Sequence, residues 1–223
     1  MKFLLFNMIR KLPWIFIGFL PIYLITYVTK EPFPFLVQRL LFFRQGGTFL
    51  LSFLPLYHLF FLYIGVGETT EIRKQLMTEW IIRSGDKRAF IKQDLAVLCL
   101  ICVLFSTLFF SIGLVSGGLI ISVAASSIYL MAVFYFLYLT AIYFYSLLFY
   151  YLSMVTTTER ALVMIAIGTL ALIVFNPTER LIDIAKIHIS WWKIALIIYL
   201  LGIFVLMGKS IKKGLQMEVT NEN

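Results

Sequence analysis

Charge is scarce in this chain. Only 13% of its 223 residues are Asp, Glu, Lys or Arg, and 61% are hydrophobic. Soluble domains run nearer ~25% and ~45–50%. A core of this chain length cannot hide so many apolar side chains, which excludes a soluble globular domain and sends much of the apolar surface to lipid. Cysteine is nearly missing too. Cys99 and Cys102 form a C-x-x-C inside an uninterrupted apolar run. That setting denies them the polar, accessible surroundings of a redox or metal motif, so they read as small buried hydrophobes. No disulfide framework follows.

Chemistry is equally thin. Histidine occurs twice, and the span centres hold a single ionisable residue, His58. Without a nearby carboxylate, a histidine beside Tyr57 reads as a hydrogen-bonded packing residue. There is no H-E-x-x-H, no G-x-S-x-G and no pair of carboxylates within the membrane for ion coupling. Gly202 to Gly208-Lys209-Ser210 mimics a phosphate-binding loop, but its gap is one residue too long and it lies along a membrane helix. Gly65-Val66-Gly67-Glu68-Thr69-Thr70 lacks the lysine. The chain is therefore expected to carry no catalytic residue, no metal and no cofactor, and no nucleotide-hydrolysing motor. Its net charge of +8 reads as cytoplasmic loops facing anionic headgroups, not as a nucleic-acid surface.

What remains is an all-α polytopic membrane protein forming one domain over residues 1–223. A span needs about 20 apolar residues. Leu12–Val28, Thr48–Val66, Leu95–Gly113 and Trp191–Met207 qualify. Glycine and proline are absent between Gly118 and Gly168, so Leu119–Val155 reads as one long helix, with Ser126-Ser127 its one candidate break. Ala161–Phe175 is a short fifth span, giving six transmembrane helices. With the N-terminus inside, thirteen of the nineteen basic residues fall on cytoplasmic segments. That bias places both termini in the cytoplasm.

Three segments lie beside the spans. Residues 1–12 place Met1, Leu4, Leu5, Met8, Ile9 and Leu12 on one helical side, away from Lys2, Arg10 and Lys11. This suits an interfacial elbow helix ahead of Pro13, or else a basic flank anchoring the first span. No small-x-small site marks a cleavable signal peptide. Residues 67–94 form the one polar segment long enough to meet a protein partner. Ile72, Leu76, Met77, Trp80 and Ile81 share a helical face, Gly85 suits a left-handed turn, and Asp86 or Ser84 can cap a second helix carrying Lys87, Arg88 and Lys92 into the membrane. Asp94, at the mouth of the third span, is expected to pair with Lys92 or Lys87. Outside, Asn176-Pro177-Thr178-Glu179 begins a half-sunken helix over 176–190, and Trp191-Trp192 anchors the last span at the interface.

Aromatics recur every seven residues at Tyr129, Phe136, Tyr143 and Tyr150, with Tyr138 and Tyr145 in an adjacent stripe. Core packing between helices is the favoured reading. As a cavity for an amphipathic ligand, the lining candidates are Tyr57, His58, Tyr135, Tyr138 and Tyr145, whose phenols offer hydrogen bonds amid apolar surface.

The layout resembles the permease subunits of type-two ABC exporters: amphipathic N-terminus, six spans, one large inner loop after the second, and a sunken outer helix before the last. The local likeness is strongest from Gly67-Glu68-Thr69-Thr70 to Ile82-Arg83-Ser84-Gly85-Asp86-Lys87-Arg88-Ala89-Phe90-Ile91. It is similar to the coupling-helix region of small Gram-positive permeases that act in peptide export or peptide immunity. The resemblance implies a bacterial plasma-membrane location, a second permease chain (identical or related), and a dimer of separate ATPase subunits that hold ATP and Mg. It implies ATPase contacts at Glu71, Leu76, Trp80, Arg83, Ser84, Gly85, Asp86, Lys87, Arg88 and Phe90, and a hydrophobic or amphipathic substrate such as a membrane-active antimicrobial peptide. Two other readings fit a six-span chain without catalytic motifs: a substrate-binding subunit of an energy-coupling-factor importer, and a non-enzymatic immunity protein.

Overall fold

The computed structural model describes residues 66–67, 86–118, 126–175 and 191–216. The elbow helix, the first span, the second span up to Gly65, the helix over 71–82 with its turn at Arg83–Gly85, and the outer helix over 176–190 lie outside the described residues. Within them, regular structure is entirely helical and no strand occurs.

Helix α1 spans Lys87–Gly118. Of the two expected caps, Asp86 is the one seen at work: its Oδ1 accepts from the Ala89 amide at 3.0 Å and its carbonyl from the Phe90 amide at 3.3 Å. An aspartate here satisfies an amide that the first helical turn leaves open. The basic entry helix and the third span are one unbroken element of 32 residues, about 48 Å long at 1.5 Å per residue. It runs past the expected end at Gly113 to the glycine pair Gly117-Gly118.

Helix α2, Ser126–Val155, is continuous as its lack of glycine and proline predicts; residues 119–125 lie outside the description. Helix α3, Thr158–Phe175, follows after only Thr156 and Thr157. Thr156 closes α2 by returning both its amide and its hydroxyl to the Leu152 carbonyl, each at 2.8 Å. Thr157 opens α3, its Oγ1 accepting from the Arg160 amide at 3.3 Å and its carbonyl from the Ala161 amide at 2.9 Å. Glu159 adds negative charge where the helix dipole favours it. Two threonines thus make a complete helical hairpin. Helix α4, Trp191–Gln216, ends with Lys213 in its last turn, the favourable sign at a C-terminus.

Helix α2 is central, packing on α1, α3 and α4, while α4 also touches α1. Partners fix the directions. Asp94 meets Tyr150, Cys102 meets Ser146 and Thr107 meets Tyr135. Numbers rise on α1 as they fall on α2, so this pair is antiparallel. Ile91 sits against Gly214, which brings the start of α1 beside the end of α4. The start of α1, the ends of α2 and α4, and the start of α3 therefore share one end of the bundle.

The outward faces are apolar. Val163, Met164, Ile167 and Leu170 on α3 and Ile198, Leu201, Phe204 and Val205 on α4 are exposed, Phe204 to 80%. Exposed apolar side chains in such number are rare on soluble proteins. Among the described residues, two segments, Arg88–Ser111 and Tyr135–Val155, are long and apolar enough to cross a membrane. At roughly 36 and 32 Å they match a hydrocarbon core of about 30 Å.

Candidate functional site: a buried carboxylate at the basic end

The shared end of the bundle carries most of the described charge. Arg88 and Lys92 on α1, Arg160 on α3, and Lys209 and Lys212 on α4 are exposed there, with Lys213 half-buried beside them. The opposite end shows Lys193. Residues separated by more than a hundred positions are thus gathered into one basic zone by helix packing alone.

Beneath that zone lies a carboxylate. Asp94 is only 3% exposed and accepts a hydrogen bond from the Tyr150 hydroxyl at 2.7 Å. Around them Ile91, Leu95 and Leu98 of α1, Phe149 and Met154 of α2, and Leu206 of α4 belong to a single buried cluster. This long-range bond is one that the expectation of a local pairing with Lys92 or Lys87 does not include. Residues i and i+2 point to different sides of a helix, so Lys92 is exposed where Asp94 is buried. A carboxylate within an apolar segment is costly unless a donor meets it, and the short phenolic bond is such a donor. Ser153, also buried, returns its hydroxyl to the Tyr150 carbonyl at 2.8 Å.

Farther along the α1–α2 seam the links are weaker or aromatic. The Cys102 thiol donates to Ser146 Oγ at 3.3 Å. Cys102 is buried and Cys99 half-buried, and both are free thiols, in keeping with small packing residues. Thr107 Oγ1 and Tyr135 Oη are 2.9 Å apart, and the Thr107 hydroxyl also donates to the Val103 carbonyl at 2.8 Å. The Tyr138 ring stacks on Phe109 at 4.7 Å and 15°.

These contacts locate the expected lining residues. Tyr135 and Tyr138 lie in the α1–α2 seam, and Tyr138 is fully buried among Phe105, Phe109 and Phe110. Tyr145 faces α4, where it lies beside Tyr199. The structure thus divides the three tyrosines between two seams. Tyr57 and His58 lie outside the described residues. The seven-residue series is no uniform stripe: Phe136 is 60% exposed, Tyr143 half-buried and Tyr150 buried.

Of the expected coupling residues, Asp86 is the exposed cap, Lys87 the first residue of α1, Arg88 exposed and Phe90 buried in the bundle. Glu71, Leu76, Trp80, Arg83, Ser84 and Gly85 fall outside the description. The look-alike phosphate loop is dismantled by its environment. Gly202 takes the Phe144 ring against its backbone, Lys209 is exposed, and Ser210 is wholly buried. No cluster of three or more His, Cys, Asp or Glu side chains occurs among the described residues.

Asp94 and Tyr150 were absent from the residues singled out for chemistry, although a signal existed. Ile91, Asp94, Leu98, Ile101 and Phe105 follow the three- and four-residue spacing of one helical face, so a carboxylate on that stripe faces inward. Comparison with known proteins returns no match: no family model, no curated protein and no solved structure matches the chain.

Proposed function

We propose that the chain is the membrane-spanning subunit of an ATP-driven exporter, powered by separate ATPase subunits docked at the basic end of the bundle. Its cargo class is a hydrophobic or amphipathic molecule, with a membrane-active peptide the leading candidate. Six spans, cytoplasmic termini and a bacterial plasma-membrane location belong to this reading. The observation that carries it is the continuity of α1. From the Asp86 cap through exposed Arg88 and Lys92 to buried Asp94, Leu98 and Phe105, one helix runs without a break. A force applied by a partner to residues near Asp86 reaches the core as a rigid displacement, whereas a flexible joint would dissipate it. Phe90 and Ile91, buried at the first turn, tie that lever to the bundle.

Affinity purification of the full chain from native membranes tests the reading. An ATPase should co-purify, and charge reversal at Arg83, Lys87 or Arg88 should lower transport-coupled ATP hydrolysis severalfold. Normal coupled hydrolysis and transport after deletion of residues 71–90 would exclude it. If function with the ATPase requires a further membrane protein, the energy-coupling-factor importer reading takes its place. Substrate binding without ATP-dependent movement would favour an immunity protein.

A further inference from the structure

Helix α4 carries three glycines, and two of them are explained by packing. Gly202 receives the Phe144 ring and Gly214 the Ile91 side chain. Gly208 is different: it is exposed, and nothing lies within 4 Å of a Cβ placed there. Glycine weakens a helix interior relative to alanine. At this position it leaves a notch of bare backbone in the outward face of α4.

Two lysines border the notch. Lys209 follows it directly and Lys212 stands one turn along, both exposed. At about 100° per residue, Ile198, Leu201, Lys209 and Lys212 all fall within about 40° of Val205 around the helix. The three apolar residues of this stripe are exposed to between 52% and 62%. Gly208 lies at its border, about 60° from Val205, while Gly214, which faces α1, lies about 180° away. From Ile198 to Lys209 the rise is about 16 Å, close to the ~15 Å of hydrocarbon in one leaflet. The stripe is therefore apolar for the depth of a leaflet and cationic where the headgroup layer begins, with the lysine stems free to run along it.

That order of groups selects the occupant. An apolar helix docked on the stripe would strip water from two ammoniums, and α4 itself has no acidic residue to meet them. A lipid of negative charge presents an acyl chain and an anion in the same sequence as the stripe. We infer that Gly208, Lys209 and Lys212, with Ile198, Leu201 and Val205, form a binding site for one phospholipid of net negative charge. Its phosphate lies over the Gly208 backbone between the two ammoniums, and one acyl chain follows the stripe. The site rests on the membrane-spanning part of the proposed function and needs no ATPase.

Full-length protein in dodecylmaltoside micelles is titrated with dioleoyl phosphatidylglycerol or dioleoyl phosphatidylcholine, and thermal unfolding is followed by tryptophan fluorescence. The anionic lipid should raise Tm along a saturating curve, as a ligand of the folded state does. The choline lipid, with the same chains and no net charge, should not. K209Q should raise the half-saturating lipid fraction about fivefold, and K209Q with K212Q about twenty-five-fold. R160Q removes one charge at the same end of the bundle on another helix and should leave it within about twofold. G208L keeps every charge but fills the notch, and should weaken the response at least as much as K209Q. An R160Q effect equal to that of K209Q, or a G208L response like that of the unaltered chain, would reduce the binding to diffuse attraction and overturn the site. So would equal shifts with both lipids, an equal shift with inorganic phosphate, or no shift with either lipid, which would mean that protein covers the stripe. A chain that folds and stays dispersed without detergent would overturn the membrane reading itself, a result distinct from every lipid outcome.

Discussion

The two seams made by α2 are held in different ways. Against α1, the contact is a series of side-chain links: Tyr150 to Asp94, Ser146 to Cys102, Tyr135 to Thr107, and Tyr138 stacked on Phe109. Against α4, the helices approach where a side chain is missing, with the Phe144 ring seated on Gly202. On the membrane reading proposed above, the difference matters most in lipid. There apolar burial does not distinguish a neighbouring helix from an acyl chain, so partner choice rests on polar links or on close backbone approach. One seam uses the first device, and the other relies mainly on the second.

This contrast can be broken at its strongest point first. Gly202→Val places branched carbons inside the Phe144 ring and should cost about 3 kcal/mol, the upper end for overpacking. Unfolding in micelles measures the loss, and α4 should separate from α2 while the α1–α2 links persist. Tyr150→Phe follows, at about 2 kcal/mol, because a buried carboxylate loses a donor. A cost as low as the ~0.6 kcal/mol average for hydrogen bonds between membrane helices would make that bond ordinary and weaken the distinction between the seams. Smallest is Gly168→Ala on α3, where nothing lies within 4 Å of the added methyl. Helix propensity alone should then act, raising stability by up to about 1 kcal/mol. Destabilisation there would reveal a neighbour pressed against α3.

Much of the helical layout was readable because apolar length and helix-stopping residues are local properties. The glycine- and proline-free stretch foretold α2, and Asp86 was nameable as a cap from its place before Lys87. Less legible was anything set by the distance between helices. Asp94 read as an interfacial residue with a nearby lysine, and a donor 56 residues away was invisible to local reading. The tyrosines on α2 read as one surface, yet α1 and α4 approach from different sides and divide them. Gly202 and Ser210 read as parts of a false phosphate loop. The packing role of Gly202 emerges only once the Phe144 ring is set against α4.

The two-threonine turn has a consequence for how the chain is made. Two linking residues leave three Cα–Cα steps from Val155 to Thr158, about 10 Å at full stretch, barely more than the ~8–10 Å between packed helix axes. Thr156 and Thr157 therefore leave little slack for α2 to settle while α3 waits elsewhere. On the membrane reading proposed above, the pair enters the bilayer as one reversing unit, with Glu159 and Arg160 at the bend. The handover from ribosome to membrane is then a place where lengthening this joint, even by a few polar residues that spare every contact in the finished bundle, would lower yield without lowering stability.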